Sequence, residues 1–102
     1  MNRSQIINTA LHAITQDRAA THGNAEDNFG SIAKGWEWWL SARKSGPLTA
    51  YDVAMMMVVF KIARCGSNPA HADNSVDLVG YGALAGEIAA GFAANEVNSN
   101  GA

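Results

Sequence analysis

One segment of the chain, VAMMMVVF at residues 53–60, is apolar at every position. Asp52 and Lys61 bound it, and Thr49 stands three residues before Asp52, which is the spacing of a capping box. We therefore predict a helix over residues 50–64. A helix that is apolar on every side must be buried on every side. This requirement limits the fold strongly, because the helix needs neighbours all around it.

Three further helices are predicted along the chain. The first covers about residues 2–20, with Ser4 as its expected N-cap. Its apolar residues form one stripe: Ile6, Ile7, Ala10, Leu11 and Ile14. The next helix covers residues 25–42, and Asn24 is its expected N-cap. The last covers about residues 72–93.

Four glycines lie inside this last helix: Gly80, Gly82, Gly86 and Gly91. Each glycine costs about 1 kcal/mol relative to alanine in a helix interior. We therefore expect a close approach to another helix, a bend, or a ligand against the backbone.

The pattern predicts an all-α fold, with four helices in a single domain over residues 1–94 and a flexible tail over residues 95–102. Strand patterns are not seen, and 102 residues is the length of one domain. Three amphipathic helices can cover the apolar helix only partly in so short a chain. We therefore expect an oligomeric bundle, either a homodimer or a larger symmetric assembly.

Composition excludes several classes of protein. The net charge is −2, which leaves no basic excess for nonspecific binding to nucleic acid. The single cysteine, Cys65, excludes an internal disulfide and a zinc site built from cysteines. The longest apolar run has eight residues, whereas a bilayer-spanning helix needs about 20. We expect a soluble, cytoplasmic protein that binds neither nucleic acid nor membrane.

Charged residues lie on both sides of the break CGSNPAH. Lys61 and Arg64 are three residues apart before it, and Asp73 and Asp77 are four apart after it, so each pair shares a helix face. Tyr81 follows Asp77 on the same face. These groups suit a nucleotide: the acids would bind Mg²⁺, the cations would bind phosphate, and the ring would stack on a base. The alternative is a salt-bridged helix junction with no ligand.

A second acidic patch opens the helix predicted over residues 25–42. Glu26 and Asp27 lie in its first turn, where acids complement the helix dipole. The functional alternative makes Glu26 a third carboxylate for the metal, beside Asp73 and Asp77.

Three segments together resemble a group of small uncharacterised proteins of phages and prophages. They are THGNAEDNFGSIAKGWEWWL, YDVAMMMVVFKIAR and HADNSVDLVGYGALAGE, and the resemblance covers about residues 18–87. A more distant similarity is to the all-α NTP pyrophosphatases of the MazG and dUTPase type, which are helical oligomers. Those enzymes bind Mg²⁺ through an ExxE and an ExxD motif and cleave nucleoside triphosphates between the α and β phosphates.

The distant similarity implies a role for each candidate residue. Glu26 would stand for the first motif, and Asp73 with Asp77 for the second, so that all three bind Mg²⁺ and Glu26 and Asp77 are catalytic. Lys61 and Arg64 would contact phosphate. The sequence departs from the pattern, because EDNF is not ExxE and the two aspartates are spaced by four rather than three.

These observations lead to one main functional prediction with two alternatives. The main prediction is a phage-type nucleotide-binding protein, in its enzymatic form a Mg²⁺-dependent nucleoside triphosphate pyrophosphohydrolase, in the cytoplasm of an infected or lysogenic bacterial host. The first alternative is a non-catalytic sponge that sequesters a nucleotide signal of host immunity. The second is a protein–protein inhibitor or structural component that uses the tryptophan-rich helix.

Overall fold

A computed structural model describes residues 1–17 and 24–101, and within these residues the chain is all-α. The four helices are α1 (Arg3–His12), α2 (Ala25–Ala42), α3 (Ala50–Ser67) and α4 (Ala72–Gly101). A π-helical turn, Ala13–Asp17, continues α1. No strand occurs in the described residues, so the predicted fold class is confirmed.

The predicted helix bounds agree closely at α2 and differ at two ends. The helix predicted to end at residue 64 continues to Ser67, and the one predicted to end at residue 93 continues to Gly101. Residues 95–101 are therefore helical, and the flexibility of the tail stays a prediction. The end of the helix predicted over residues 2–20 lies partly outside the described residues.

Local capping explains where three helices begin. Asn24 accepts a hydrogen bond from the backbone of Asp27 at 3.1 Å, as expected for the N-cap of α2. Thr49 and Asp52 form the predicted capping box of α3. The prediction for α1 was wrong: the N-cap is Asn2 rather than Ser4. The Oδ1 atom of Asn2 accepts from the backbone of Gln5 at 2.9 Å, and the Gln5 side chain accepts from the Asn2 backbone at 2.8 Å.

The core is formed where α3 packs between α2 and α4. The indole N–H of Trp36 in α2 donates to the backbone oxygen of Met56 in α3 at 2.8 Å. Gly35 permits this close packing, because a Cβ atom there would lie only 2.5 Å from Cγ1 of Val59. At the other end of α3, Tyr51 contacts the ring of Trp39 in α2 and the ring of Phe92 in α4.

The apolar helix α3 is only partly covered within one chain. Ala54 is buried, residues 55–60 are half-buried, and Val53 and Ile62 are more than half exposed. The sequence predicted that this helix is buried on every side, but the other helices of the same chain do not cover it fully. The molecule is also elongated, with a radius of gyration of 17.7 Å, whereas a compact domain of 100 residues has about 13 Å.

Two features remain open to solvent. No residue of α1 is buried, and its large apolar side chains are more than half exposed. The four glycines predicted inside the last helix, from Gly80 to Gly91 in α4, also face open space, since a Cβ atom built at any of them meets no atom within 4 Å. The expected close approach at these glycines does not occur within the described part of the chain.

Candidate functional site

The candidate site lies where α3 ends and α4 begins. The backbone N–H of Asn68 donates to the oxygen of Arg64 at 2.9 Å, which closes the last turn of α3. A short loop then reverses the chain, and His71 accepts from the backbone N–H of Asn74 at 3.1 Å in the first turn of α4. The two helices pack side by side, so residues near the end of α3 face residues near the start of α4.

Lys61 and Asp77 form an ion pair across this junction. The Nζ atom of Lys61 lies 2.9 Å from Oδ2 of Asp77, and 16% of the lysine side chain is exposed against 45% of the aspartate side chain. The lysine stem is therefore held by packing while its ammonium group reaches the edge of the junction. The predicted proximity of a cation from α3 and an acid from α4 holds for this pair.

Arg64 is placed differently from Lys61. It is 8% exposed, and its guanidinium carbon lies 4.7 Å from the centre of the Phe60 ring. The Nζ atom of Lys61 lies 5.2 Å from the centre of the same ring. The two predicted phosphate ligands thus share one aromatic neighbour, which stabilises both cations, but Lys61 is the more accessible of the two.

Tyr81 and Asp77 line one open groove on α4. The groove has a volume of about 460 Å³, and its described lining is Val76, Asp77, Gly80, Tyr81 and Leu84. Asp77 and Tyr81 are four residues apart, so they lie on the same helix face. The structure therefore places the predicted base-stacking ring beside the acid that pairs with Lys61.

The other predicted metal ligands, Asp73 and Glu26, are both exposed. Asp73 has 81% of its side chain exposed, and its Oδ2 atom is 3.9 Å from Nε2 of His71. Glu26 is exposed in the first turn of α2. In the described part of the chain, no three His, Cys, Asp or Glu side chains gather closely enough to hold a metal ion. Glu26 does not join Asp73 and Asp77 there, and the magnesium site stays a prediction.

Asn74 was not selected as a site residue from the sequence. It is 2% exposed, and its Nδ2 atom has no hydrogen-bond partner among the described residues. A buried polar side chain of this kind costs free energy unless something satisfies it. Its position next to Asp73 gave no sequence signal, because helical spacing alone does not show which face of α4 meets α3.

A second polar cluster, also missed as a unit, joins the α2–α3 loop to α3. Oδ1 of Asp52 accepts from Nε of Arg43 at 3.0 Å and from the indole of Trp39 at 3.1 Å, and Oδ2 accepts from the backbone of Thr49 at 2.8 Å. The backbone N–H of Thr49 is the main cause that lowers the pKa of Asp52 below its ordinary value. Arg43 also donates to the backbone oxygens of Gly46 and Pro47. The capping box was readable from the sequence, but the link to Arg43 was not.

None of the helices in the described residues is both long enough and apolar enough to span a bilayer.

Comparison with known proteins places the chain in a family. Residues 5–89, which include the whole α3–α4 junction, match the pattern of a domain of unknown function, DUF6378. The chain belongs to the DUF6378 family. This DUF6378 chain is also similar to the Gene 55 protein of Mycobacterium phage L5, with 42% identity over 77 residues.

The match to the phage protein covers 74% of this chain and 47% of the relative, so the DUF6378 chain spans about half the length of that protein. The predicted resemblance to phage proteins is thereby confirmed. The similarity to NTP pyrophosphatases is not part of either match and stays a prediction. No solved structure matches the chain.

Proposed function

We propose that this DUF6378 protein binds a nucleotide, or an anion derived from one, at the junction of α3 and α4. The observation that carries the proposal is the ion pair between Lys61 and Asp77, 2.9 Å long, at a groove that also holds Tyr81. A nucleotide offers a phosphate for a cation, a sugar for a polar group and a base for a ring. Lys61, paired with Asp77 from outside the described lining, would supply the cation, and Asp77 and Tyr81 in the lining would supply the polar group and the ring.

The different burial of Lys61 and Asp77 supports this use of the pair. Burial of the lysine stem fixes the direction of the ammonium group, so little side-chain entropy would be lost when a phosphate oxygen binds to it. Asp77 is more exposed and could move aside. Once displaced, its carboxylate would accept a hydrogen bond from a ribose hydroxyl or bind Mg²⁺ at the phosphates.

Arg64 would act mainly through its charge. Its guanidinium is buried against Phe60, so direct contact with phosphate would require it to become exposed. A second positive charge one turn from Lys61 nevertheless strengthens the attraction for an anion in this low-dielectric environment. We propose Lys61 as the direct phosphate ligand and Arg64 as its supporting cation.

We favour binding without turnover, such as sequestration of a nucleotide signal, over hydrolysis. Asp77 is the acidic residue in the described lining of the groove, and Glu26 lies on a different helix in an exposed first turn. Hydrolysis in the manner of the all-α NTP pyrophosphatases would require Glu26, Asp73 and Asp77 to meet around Mg²⁺. This enzymatic form is the second candidate function, and the resemblance of the sequence pattern is what favours it.

Calorimetry of the full-length protein tests the proposal. The common ribonucleoside and deoxyribonucleoside triphosphates and a cyclic dinucleotide would be titrated in Mg²⁺ and again in EDTA, and the mixtures then separated by chromatography. Binding in EDTA with the ligand recovered intact is the expected result. Release of pyrophosphate only in Mg²⁺ would instead establish the enzymatic form, and absence of binding to all these ligands would refute both.

Two pairs of variants locate the site. Tyr81→Leu removes the ring and should weaken binding at least about tenfold, or 1.4 kcal/mol, whereas Tyr81→Phe keeps the ring and should bind nearly as the parent does. Lys61→Met should weaken binding to a similar degree. Lys34→Met is its matched control, because Lys34 is an exposed lysine of α2 and its loss changes the net charge equally. Equal weakening by both lysine variants would indicate nonspecific attraction rather than a site.

A further inference from the structure

The chain exposes far more surface than its mass requires. Its solvent-accessible area is 7250 Å², whereas a compact monomer of 10.7 kDa is expected to expose about 5,500 Å². The excess is roughly 1,700 Å² per chain, and a stable dimer interface buries about 800 Å² or more on each partner. The excess area is therefore in the range that an obligate interface between two chains would cover.

Helix α1 presents one part of this excess. Its apolar stripe consists of four large side chains, each more than half exposed: Ile6, Ile7, Leu11 and Ile14. The stripe runs from Ile6 in α1 to Ile14 in the π-helical turn that continues it, eight positions or about 12 Å along the helix axis. Four large apolar side chains in one exposed row are unusual on a monomer. Such a row marks a surface that another protein surface covers.

Helix α4 presents a second exposed surface, here called the outer face of α4 and defined by Val76, Val79, Gly80, Ala83 and Leu84. Its three large side chains are more than half exposed. Gly80 and Ala83 lie between them and leave a shallow groove, since a Cβ atom on Gly80 would meet nothing within 4 Å. Val76 and Leu84 are also eight positions apart, so this face has the same length as the α1 stripe.

We propose that the α1 stripe of one chain packs against the outer face of α4 of a second copy of the same chain. The two surfaces are complementary, because large isoleucine and leucine side chains meet a groove whose floor is glycine and alanine. Equal lengths of about 12 Å allow the two rows to pack along each other. If each α1 docks on the other chain, the contact closes with two-fold symmetry and leaves neither stripe exposed.

This arrangement also affects the proposed nucleotide-binding groove that Asp77 and Tyr81 line. Asp77 and Tyr81 each follow an outer-face residue by one position, so they lie beside the docked helix rather than beneath it. Val76, Gly80 and Leu84 belong both to the outer face and to the lining of the groove, so α1 of the second copy would cover this side of the groove. Asp77 and Tyr81 would remain at its open edge, where a nucleotide would bind between chains. That consequence rests on the proposed function, whereas the docking of α1 does not.

Sedimentation equilibrium of the full-length protein gives the first test. The parent should be a dimer or a multiple of it at micromolar concentration, and Leu11→Lys should shift the mass toward the 10.7 kDa of one chain. Leu11 is exposed in the single chain, so the variant should keep its helical circular dichroism. Thr9→Lys is the matched control, because it adds the same charge to an exposed position of α1 outside the stripe. A monomeric parent, or a Leu11→Lys variant that stays oligomeric, would overturn the proposal.

Cross-linking then identifies the surface that receives α1. Two chains are prepared on a Cys65→Ser background, one with Ile7→Cys and a larger tag and the other with Ala83→Cys. After mixing and mild oxidation, the expected product is the disulfide between the two different chains. If Ile7→Cys cross-links mainly to itself, α1 packs on α1 and the proposed pairing is wrong. Nucleotide binding is not needed for either experiment, so failure here is separable from failure of the binding proposal.

Discussion

The ammonium group of Lys61 lies 2.9 Å from the carboxylate of Asp77, and the cation is the more buried partner of the pair. Removal of the lysine charge and removal of the aspartate charge should therefore change the free energy of unfolding by different amounts. Water can solvate the half-exposed aspartate, but it reaches the lysine much less easily.

Substitution of Lys61 by methionine should leave the fold and the oligomer intact. Methionine can occupy the space of the lysine stem, and the lost pair is partly exposed, so stability should change by about 1 kcal/mol or less. Nucleotide binding should weaken at least about tenfold. Thermal melts with and without nucleotide check both effects. A variant that melts far lower alone but keeps its full ligand-induced shift would show that Lys61 serves the fold rather than the ligand.

Substitution of Asp77 by asparagine should cost more stability than Lys61→Met. The variant removes the anionic partner from a lysine whose side chain is only 16% exposed, a loss of about 1–3 kcal/mol. Chemical denaturation of the two single variants and the double variant measures the difference. The double variant should be more stable than Asp77→Asn alone, since it removes the unpaired charge. If Lys61→Met and Asp77→Asn lowered the free energy of unfolding equally, the difference in burial between the two side chains would have no effect on stability and the prediction would be wrong.

The Asp52 cluster should make stability depend on pH in the acid range. Hydrogen bonding, chiefly from the Thr49 backbone, lowers the pKa of Asp52 in the folded chain. Its contribution is therefore fully present above the unfolded pKa of about 3.9 and is lost as pH falls through the lower folded value. Guanidinium unfolding of the parent and Asp52→Asn from about pH 6 to 2.5 tests this. The difference in free energy of unfolding between the parent and Asp52→Asn should narrow as pH falls. A constant difference would rule out a stabilising role for the ionised Asp52.

Substitution of Gly35 by alanine should destabilise the packing of α2 on α3. The new Cβ atom would lie 2.5 Å from Cγ1 of Val59, and overpacking of this kind costs about 1–3 kcal/mol. Gly30→Ala is the control within the same helix, because its Cβ atom meets nothing within 4 Å and alanine favours the helix by about 1 kcal/mol. Val59→Ala should restore part of the loss. A Gly35→Ala variant as stable as Gly30→Ala would show that the helices separate without cost.

Substitution of Trp36 by phenylalanine should cost about 1–2 kcal/mol. The variant loses the hydrogen bond to the Met56 oxygen as well as part of the packed ring. Trp38→Phe is the matched control, since Trp38 lies on the same helix with 63% of its area exposed, and it should change stability by less than about 0.5 kcal/mol. Urea denaturation followed by circular dichroism compares the two. A larger effect at Trp38 would place that side chain in an interface.

Much of the helical framework could be predicted because its causes are local. The capping box of Thr49 with Asp52 and the cap at Asn24 depend on residues only three positions apart. The error at the first helix was also local: Asn2 and Gln5 form a reciprocal cap, and Ser4 was chosen although Asn2 has the better partner. The true end of α4 at Gly101 could not be read from its polar composition.

The site was predictable only in part. Its charges, spacing and ring could be read, and the short turn predicted that cations and acids lie near one another, but which cation pairs with which acid was seen only in the structure. The sequence by itself thus determined four helices, the caps of α2 and α3, and the end of the bundle where the charges meet. Tertiary structure decided that Arg64 is buried, that Asn74 faces inward and that Arg43 binds Asp52. The reason is physical: caps and turns depend on neighbours along the chain, whereas burial depends on how two helices are rotated against each other.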